Sequence, residues 1–254
     1  MKMMNILRTT TPALLVLAVA AFASRSIASP ITVIPPGLAA GSQYRLVFIT
    51  ADLYASTSPN IATYNNEVNT EANSVVALAA LGTTWLNIGS TSSVNAIDNV
   101  GQDPGVPIYD LGGQLVADDG TANTGGLFSG DGLINPINYF DSGAIPSEPF
   151  TKINDEMWTG SSDEGLAFNP LGTPDGFVNV GEIGNSGWLG SGYCPNTPQL
   201  LDCSDLSLYA ISGVLTVPGL QPPPSVPDGP TPEPSSFWLL GIPLLGLIRR
   251  RARK

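Results

Sequence analysis

Residues 44–82 read YRLVFITADLYASTSPNIATYNNEVNTEANSVVALAALG, and this stretch decides the fold class. Its first part, Tyr44–Ala51, is β-branched and aromatic enough to predict a buried strand. Ser58-Pro59 then predicts a helix start, with serine as N-cap and proline at the first helical position. Ile61, Tyr64, Val68, Ala72, Val75, Val76 and Ala79 recur mostly three and four residues apart, which lays one apolar stripe along a helix. Gly82 supplies the stop, so the pattern predicts a helix from about Pro59 to Leu81 whose stripe packs into a core.

Working outward, Ile31–Ala40 is an extended lead-in broken by Pro-Pro-Gly, and Thr83–Gly89 predicts a second strand. A region rich in glycine, asparagine and aspartate then runs to about Gly192, punctuated by short apolar runs such as Val106–Tyr109. Asp118–Gly126 is turn chemistry. Leu208–Val217 closes the module as an apolar, β-branched strand. The expectation is one α+β domain over residues 31–218, with one long early helix and a loop-rich β second half. Loops of this length usually serve binding or ion stabilisation. Residues 219–231 form a proline-rich linker that is semi-rigid and unable to pack a core.

The two ends differ from this middle. Lys2 and Arg8 precede the apolar run Pro12–Ala23, and small residues follow, which predicts a secretory signal peptide over residues 1–28. Cleavage after Ala23 and cleavage after Ala28 both fit the small-residue rule. Between Ser29 and Pro230 there are 20 Asp and Glu against two cations, Arg45 and Lys152, a net of −18. Such a surface repels phosphate backbones and excludes nucleic acid as a partner, while it attracts divalent cations and basic partners.

The only cysteines, Cys194 and Cys203, would meet an oxidising compartment after export, so they predict a structural disulfide. Histidine is absent, which excludes Ser-His-Asp and Cys-His catalysis, imidazole acids and bases, and histidine-ligated zinc. Carboxylate chemistry remains, and a glycosidase would need two carboxyls about 5–9 Å apart across a cleft. Nothing in the sequence singles out such a pair among the module's acids. Calcium is the one cofactor these loops could hold: Asp118, Asp119 and Asn123 form one oxygen-rich set, and Asp155, Glu156 and Asp163 another. Neither set has the spacing of a dedicated calcium loop, and solvated turn residues read the same way. No phosphate loop or nucleophile elbow is present.

Several segments of the module occur in a suggestive order. Thr84-Trp85-Leu-Asn-Ile-Gly-Ser-Thr91 follows the helix, then Pro107-Ile-Tyr-Asp-Leu-Gly-Gly-Gln114, then Met157-Trp158-Thr-Gly-Ser161 with Asp163-Glu-Gly165. This order resembles the C-type-lectin-like fold, in particular its endostatin branch, over about Tyr44–Val217. The resemblance implies a single C-type-lectin-like domain. The zinc and heparin binding of the endostatin branch rest on histidines and an arginine-rich face, which this chain lacks, and the Glu-Pro-Asn or Gln-Pro-Asp sugar signature of true C-type lectins is missing too. Trp85, Trp158 and Trp188 then read as core residues, with sugar stacking as the alternative for one of them.

The last segment, residues 232–254, is PEPSSFWLLGIPLLGLIRRRARK. Residues 236–248 predict a short transmembrane segment: 14 uncharged residues counted from Ser235 would make a helix of about 21 Å against a hydrocarbon core of about 30 Å, interrupted by Pro243. Arg249, Arg250, Arg251, Arg253 and Lys254 form a cytoplasmic stop that orients the module outward. The ordered set of Pro232-Glu233-Pro234, apolar helix and basic end resembles the PEP-CTERM sorting signal. That resemblance implies an exosortase-type enzyme as partner, transient anchoring in the inner membrane, processing at or near Pro232-Glu233-Pro234, and a final place at the cell surface or in the extracellular matrix. The expected function is therefore an exported binding or structural protein, not an enzyme, whose partners are extracellular polysaccharide or surface proteins. A carboxylate-dependent polysaccharide hydrolase is the alternative.

Overall fold

A computed structural model describes residues 30–146, 156–174, 176–184, 186–195, 203 and 205–219. The predicted signal peptide, the sorting tail with its transmembrane segment, and all of the linker except Gly219 lie outside the described residues. Chain contacts divide the molecule into two units, Met1–Val217 and Pro218–Lys254, and every element below belongs to the first. Among the described residues no helix is long and apolar enough to cross a membrane.

The first strand, β1 (Gln43–Ile49), is buried along nearly its whole length because it has a core on each side. Strand alternation sends Tyr44, Leu46 and Phe48 into one hydrophobic cluster, and Val47 and Ile49 into a second. The first cluster takes Tyr64, Val68 and Ala72 from helix α1 (Ile61–Ser74), the stripe expected from the sequence. The second takes Ala96, Ile97 and Val100 from the short helix α3 (Ala96–Val100), together with Trp188.

Two details of the helix differ from expectation. Its N-cap is Asn60, whose side-chain oxygen accepts from the Ala62 amide at 3.1 Å. Ser58 instead anchors the approach: its carbonyl and amide both bond the Tyr64 hydroxyl, at 2.8 and 3.0 Å. The helix also breaks at Val75, which is extended (φ −93°, ψ 115°), before a single turn, α2 (Val76–Ala79), resumes. The Ser74 hydroxyl donates to the Glu71 carbonyl at 2.7 Å, competing with the backbone ladder, and the β-branched pair Val75-Val76 follows at once.

The main sheet has strand order β2 (Trp85–Asn87), β8 (Tyr209–Ser212), β1, β3 (Ile108–Asp110) and β4 (Leu115–Ala117). Only β1 and β3 are parallel, with Arg45 opposite Ile108; β8 runs antiparallel to β1, with Val47 opposite Ile211. The predicted closing strand is two: β8 and β9 (Leu215–Thr216) both pair with β1, separated by a step at Gly213-Val214. A second, antiparallel sheet has the order β5 (Glu156–Trp158), β6 (Phe177–Glu182) and β7 (Gly192–Pro195). The α+β class therefore stands, with few helices and mostly strands.

Candidate functional site

The residues singled out in the sequence fall in separate places. Cys194 and Cys203 are joined as a disulfide with Cα atoms 5.8 Å apart, tying β7 to the chain that leads into β8. A Glu156 carboxylate oxygen sits 3.4 Å from the Cys194 sulfur. These three residues bring their ligand-type atoms within 4.8 Å of one another, yet both sulfurs are spent in the disulfide, so no thiolate is on offer to a metal. Replacing both cysteines by alanine is expected to cost about 2–3 kcal/mol, as a crosslink over a loop this short predicts, read from the urea midpoint.

Asp118, Asp119 and Asn123 share one loop. The Asp119 carboxylate accepts from the Thr121 amide (2.9 Å), the Thr121 hydroxyl (2.6 Å) and the Gly105 amide (3.0 Å). Burial pushes this carboxyl up, and those hydrogen bonds more than reverse it, leaving it below the usual range. Asp118 and Asn123 are exposed. Of the second acidic set, Asp155 lies outside the described residues, while Glu156 is on β5 and Asp163 on the loop after it.

Trp85, Trp158 and Trp188 are all buried, which removes them as sugar-stacking surfaces. Trp85 packs edge-on against Phe48 at 4.9 Å, Trp188 against Tyr209 at 5.5 Å, and the Trp158 indole N–H donates to the Tyr54 carbonyl at 2.9 Å.

The structure also assembles two arrangements the sequence did not announce. One is a buried carboxyl pair. Glu71 lies on the inner face of α1, and Asp141 is carried next to it by the bridge between Ile49 and Phe140. Both carboxyls accept from the Ala51 amide, and Glu71 also takes the Asp52 amide (3.1 Å) and the Tyr54 hydroxyl (2.7 Å). Burial first, and the Asp141 charge after it, push Glu71 up to about 7 against the pull of those hydrogen bonds. Burial raises Asp141 as well, and the two carboxyls bond each other. Two acids this close retain a proton between them, and the pair latches α1 to the end of β1.

The other arrangement is an open groove of about 350 Å³ beside the second sheet, lined by Ser162, Asp163, Glu164, Phe168, Asn179 and residues 190–193, where the chain enters β7. Ser161 and Ala167 pair antiparallel, making residues 161–167 a tight hairpin that carries Asp163 and Glu164. Gly165 turns that hairpin with φ +71°, and the Phe128 ring lies where any β-carbon would stand. Asn179 on β6 ties the hairpin down by donating to the Ser161 carbonyl at 2.7 Å. Alternation along β6 and β7 buries Val178, Val180 and Cys194 and turns Phe177 and Tyr193 outward. These two rings meet edge to face at 5.0 Å while remaining 52% and 63% exposed, and Phe168 is 57% exposed. Asp163 has one oxygen shielded from solvent with the Gly190 amide beside it. Burial, with the Glu164 charge, raises its pKa, whereas the neighbouring Ser162 hydroxyl lowers that of Glu164.

An acidic, disulfide-closed module of this kind belongs with proteins that work outside the cell. Residues 230–254 match the family model of the PEP-CTERM protein-sorting motif. The chain thus carries the tail of an exosortase-sorted extracellular or surface protein, a motif that implies export, membrane anchoring for sorting, and processing by an exosortase-type enzyme. No curated protein matches the chain.

Proposed function

We propose that this chain is a binding or structural protein of the cell surface or extracellular matrix, built on a C-type-lectin-like module. Its tail holds it in the inner membrane until an exosortase-type enzyme processes it at or near Pro232-Glu233-Pro234. The observation that carries this reading is the sorting motif over residues 230–254. The lectin-like reading of the module draws support from its first and last strands pairing at the sheet centre, a helix on that sheet, and a separate three-stranded sheet braced by a disulfide.

Mass spectrometry of the protein recovered from its own cells tests the sorting step. The expected mature chain ends near Pro232-Glu233-Pro234 and lacks residues 236–248, and replacing Glu233 by alanine leaves the tail on and the protein in the inner membrane. A surface-exposed chain that still ends at Lys254 would overturn the proposal. A second reading, a carboxylate-dependent polysaccharide hydrolase, has one observation in its favour. Asp163 and Glu164 share an open groove, and their surroundings push their pKa values apart, as an acid and base pair requires. Release of reducing ends by the wild type, abolished in Asp163→Asn, would put this reading in place of the first.

A further inference from the structure

We infer that the groove between the 161–167 hairpin and β7 is a calcium-independent docking site for an uncharged polysaccharide chain. This inference rests on the exported binding role proposed above. Three independent features of the groove point to that ligand. The first is aromatic. Phe168 and Tyr193 line the groove, and Phe177 supports Tyr193 edge-on, all three more than half exposed. A Tyr or Phe ring left in water forgoes the burial that drives its packing, whereas the apolar C–H face of a pyranose ring can cover it without losing its own hydroxyl hydration. The support from Phe177 fixes the Tyr193 ring, so less side-chain freedom is lost on binding.

The second feature is the acceptor set. The exposed Glu164 carboxylate lies along the groove, with Asp163, Ser162 and Ser191 in the same lining. Carboxylates accept two neighbouring hydroxyls with charge-assisted bonds, which suits a sugar's vicinal diol. The third is charge. Arg45 is the only basic side chain among the described residues, and it is buried, so the groove has no cation for a sulfated or uronic acid polymer. The −18 net charge between Ser29 and Pro230 repels such polymers at longer range. An uncharged chain is the ligand that all three features accept.

Affinity electrophoresis of the full chain in mild detergent tests the site, with gels containing dextran, galactomannan or xyloglucan as neutral probes and alginate as the anionic one, each run with and without EDTA. The expected result is retardation by at least one neutral polysaccharide, unchanged by EDTA, and none by alginate. Tyr193→Ala and Asp163→Asn should each weaken retardation about tenfold, the loss of one stacking face or one charge-assisted contact. Val76→Ser, at an exposed apolar position outside the groove, should change nothing. Tyr193 is exposed, so its variant should keep the wild-type melting temperature. No retardation by any neutral probe would overturn the site, as would retardation that Tyr193→Ala leaves intact or that EDTA abolishes. Because sorting is read separately from the mass of the mature C-terminus, a groove that binds nothing leaves a correctly processed protein, and the two failures are distinguishable.

Discussion

Raising the pH from about 5 to about 8 should destabilise the module by roughly 3 kcal/mol, because Glu71 and Asp141 hold a proton in the folded state that they release when unfolded. The Glu71 carboxyl is pushed up to about 7, against an ordinary value of 4.5. Across that interval the folded chain binds more protons than the unfolded one, so unfolding free energy falls as pH rises and levels off above about 7. Asp141 is raised too and acts in the same direction. The described groups facing the pair are Tyr54, Asp52 and Glu67, all neutral or acidic, so among the described residues no cation offsets the effect. Expressed as melting temperature, the fall should be roughly 6–12 °C for a domain of this size. Glu71→Gln keeps the acceptor for Tyr54 and the two amides and adds a donor toward Asp141, so it should flatten the profile between about pH 5 and 8. A wild-type melting temperature that is constant or rises over this range would disprove the shared proton.

Arg45→Met should cost about 3 kcal/mol, at the lower end for removing one partner of a buried charged network. Arg45 is buried on β1, where its Nε donates to the Ser212 carbonyl at 2.7 Å. Its Nη1 donates to the Gly101 carbonyl at 3.3 Å and to Asp103 at 3.0 Å. Burial pulls its pKa down and Asp103 counters that, but a guanidinium stays protonated throughout. Methionine matches the stem and strands two carbonyls without a donor. Asp103, by contrast, is 39% exposed and in the left-handed region at φ 35°, which asparagine adopts readily. Asp103→Asn should therefore cost at most about 1 kcal/mol. Equal losses from the two substitutions, measured by urea unfolding, would show that the ion pair, rather than the carbonyl contacts, carries the effect.

How much of this was legible in the sequence depends on distance along the chain. Tyr44–Ile49 and the stripe through Tyr64, Val68 and Ala72 were legible because strand and helix periods repeat within a few residues. The break at Val75 was not, since it turns on where one serine hydroxyl points. Glu71 left a faint trace: an acid on the apolar stripe between Val68 and Ala72, which a helix exposes only by burying the wrong face. Its partner Asp141 left none, because the two meet only through the bridge from Ile49 to Phe140. The groove was hidden for the same reason. Phe168, Phe177 and Tyr193 are spread over the loop-rich half, and the β6–β7 register alone brings the last two together. The tail was the reverse case, a local signal readable without any fold.

The central place of β1 has a consequence for the order of events in the cell. Its neighbours on one side, β8 and β9, are the last strands of the module, and the Arg45–Ser212 contact spans 167 residues. The strand that both hydrophobic clusters share therefore cannot be enclosed until nearly all of the module has been delivered. Closure of the central sheet waits on its most distant partner, a non-local step that comes late in folding.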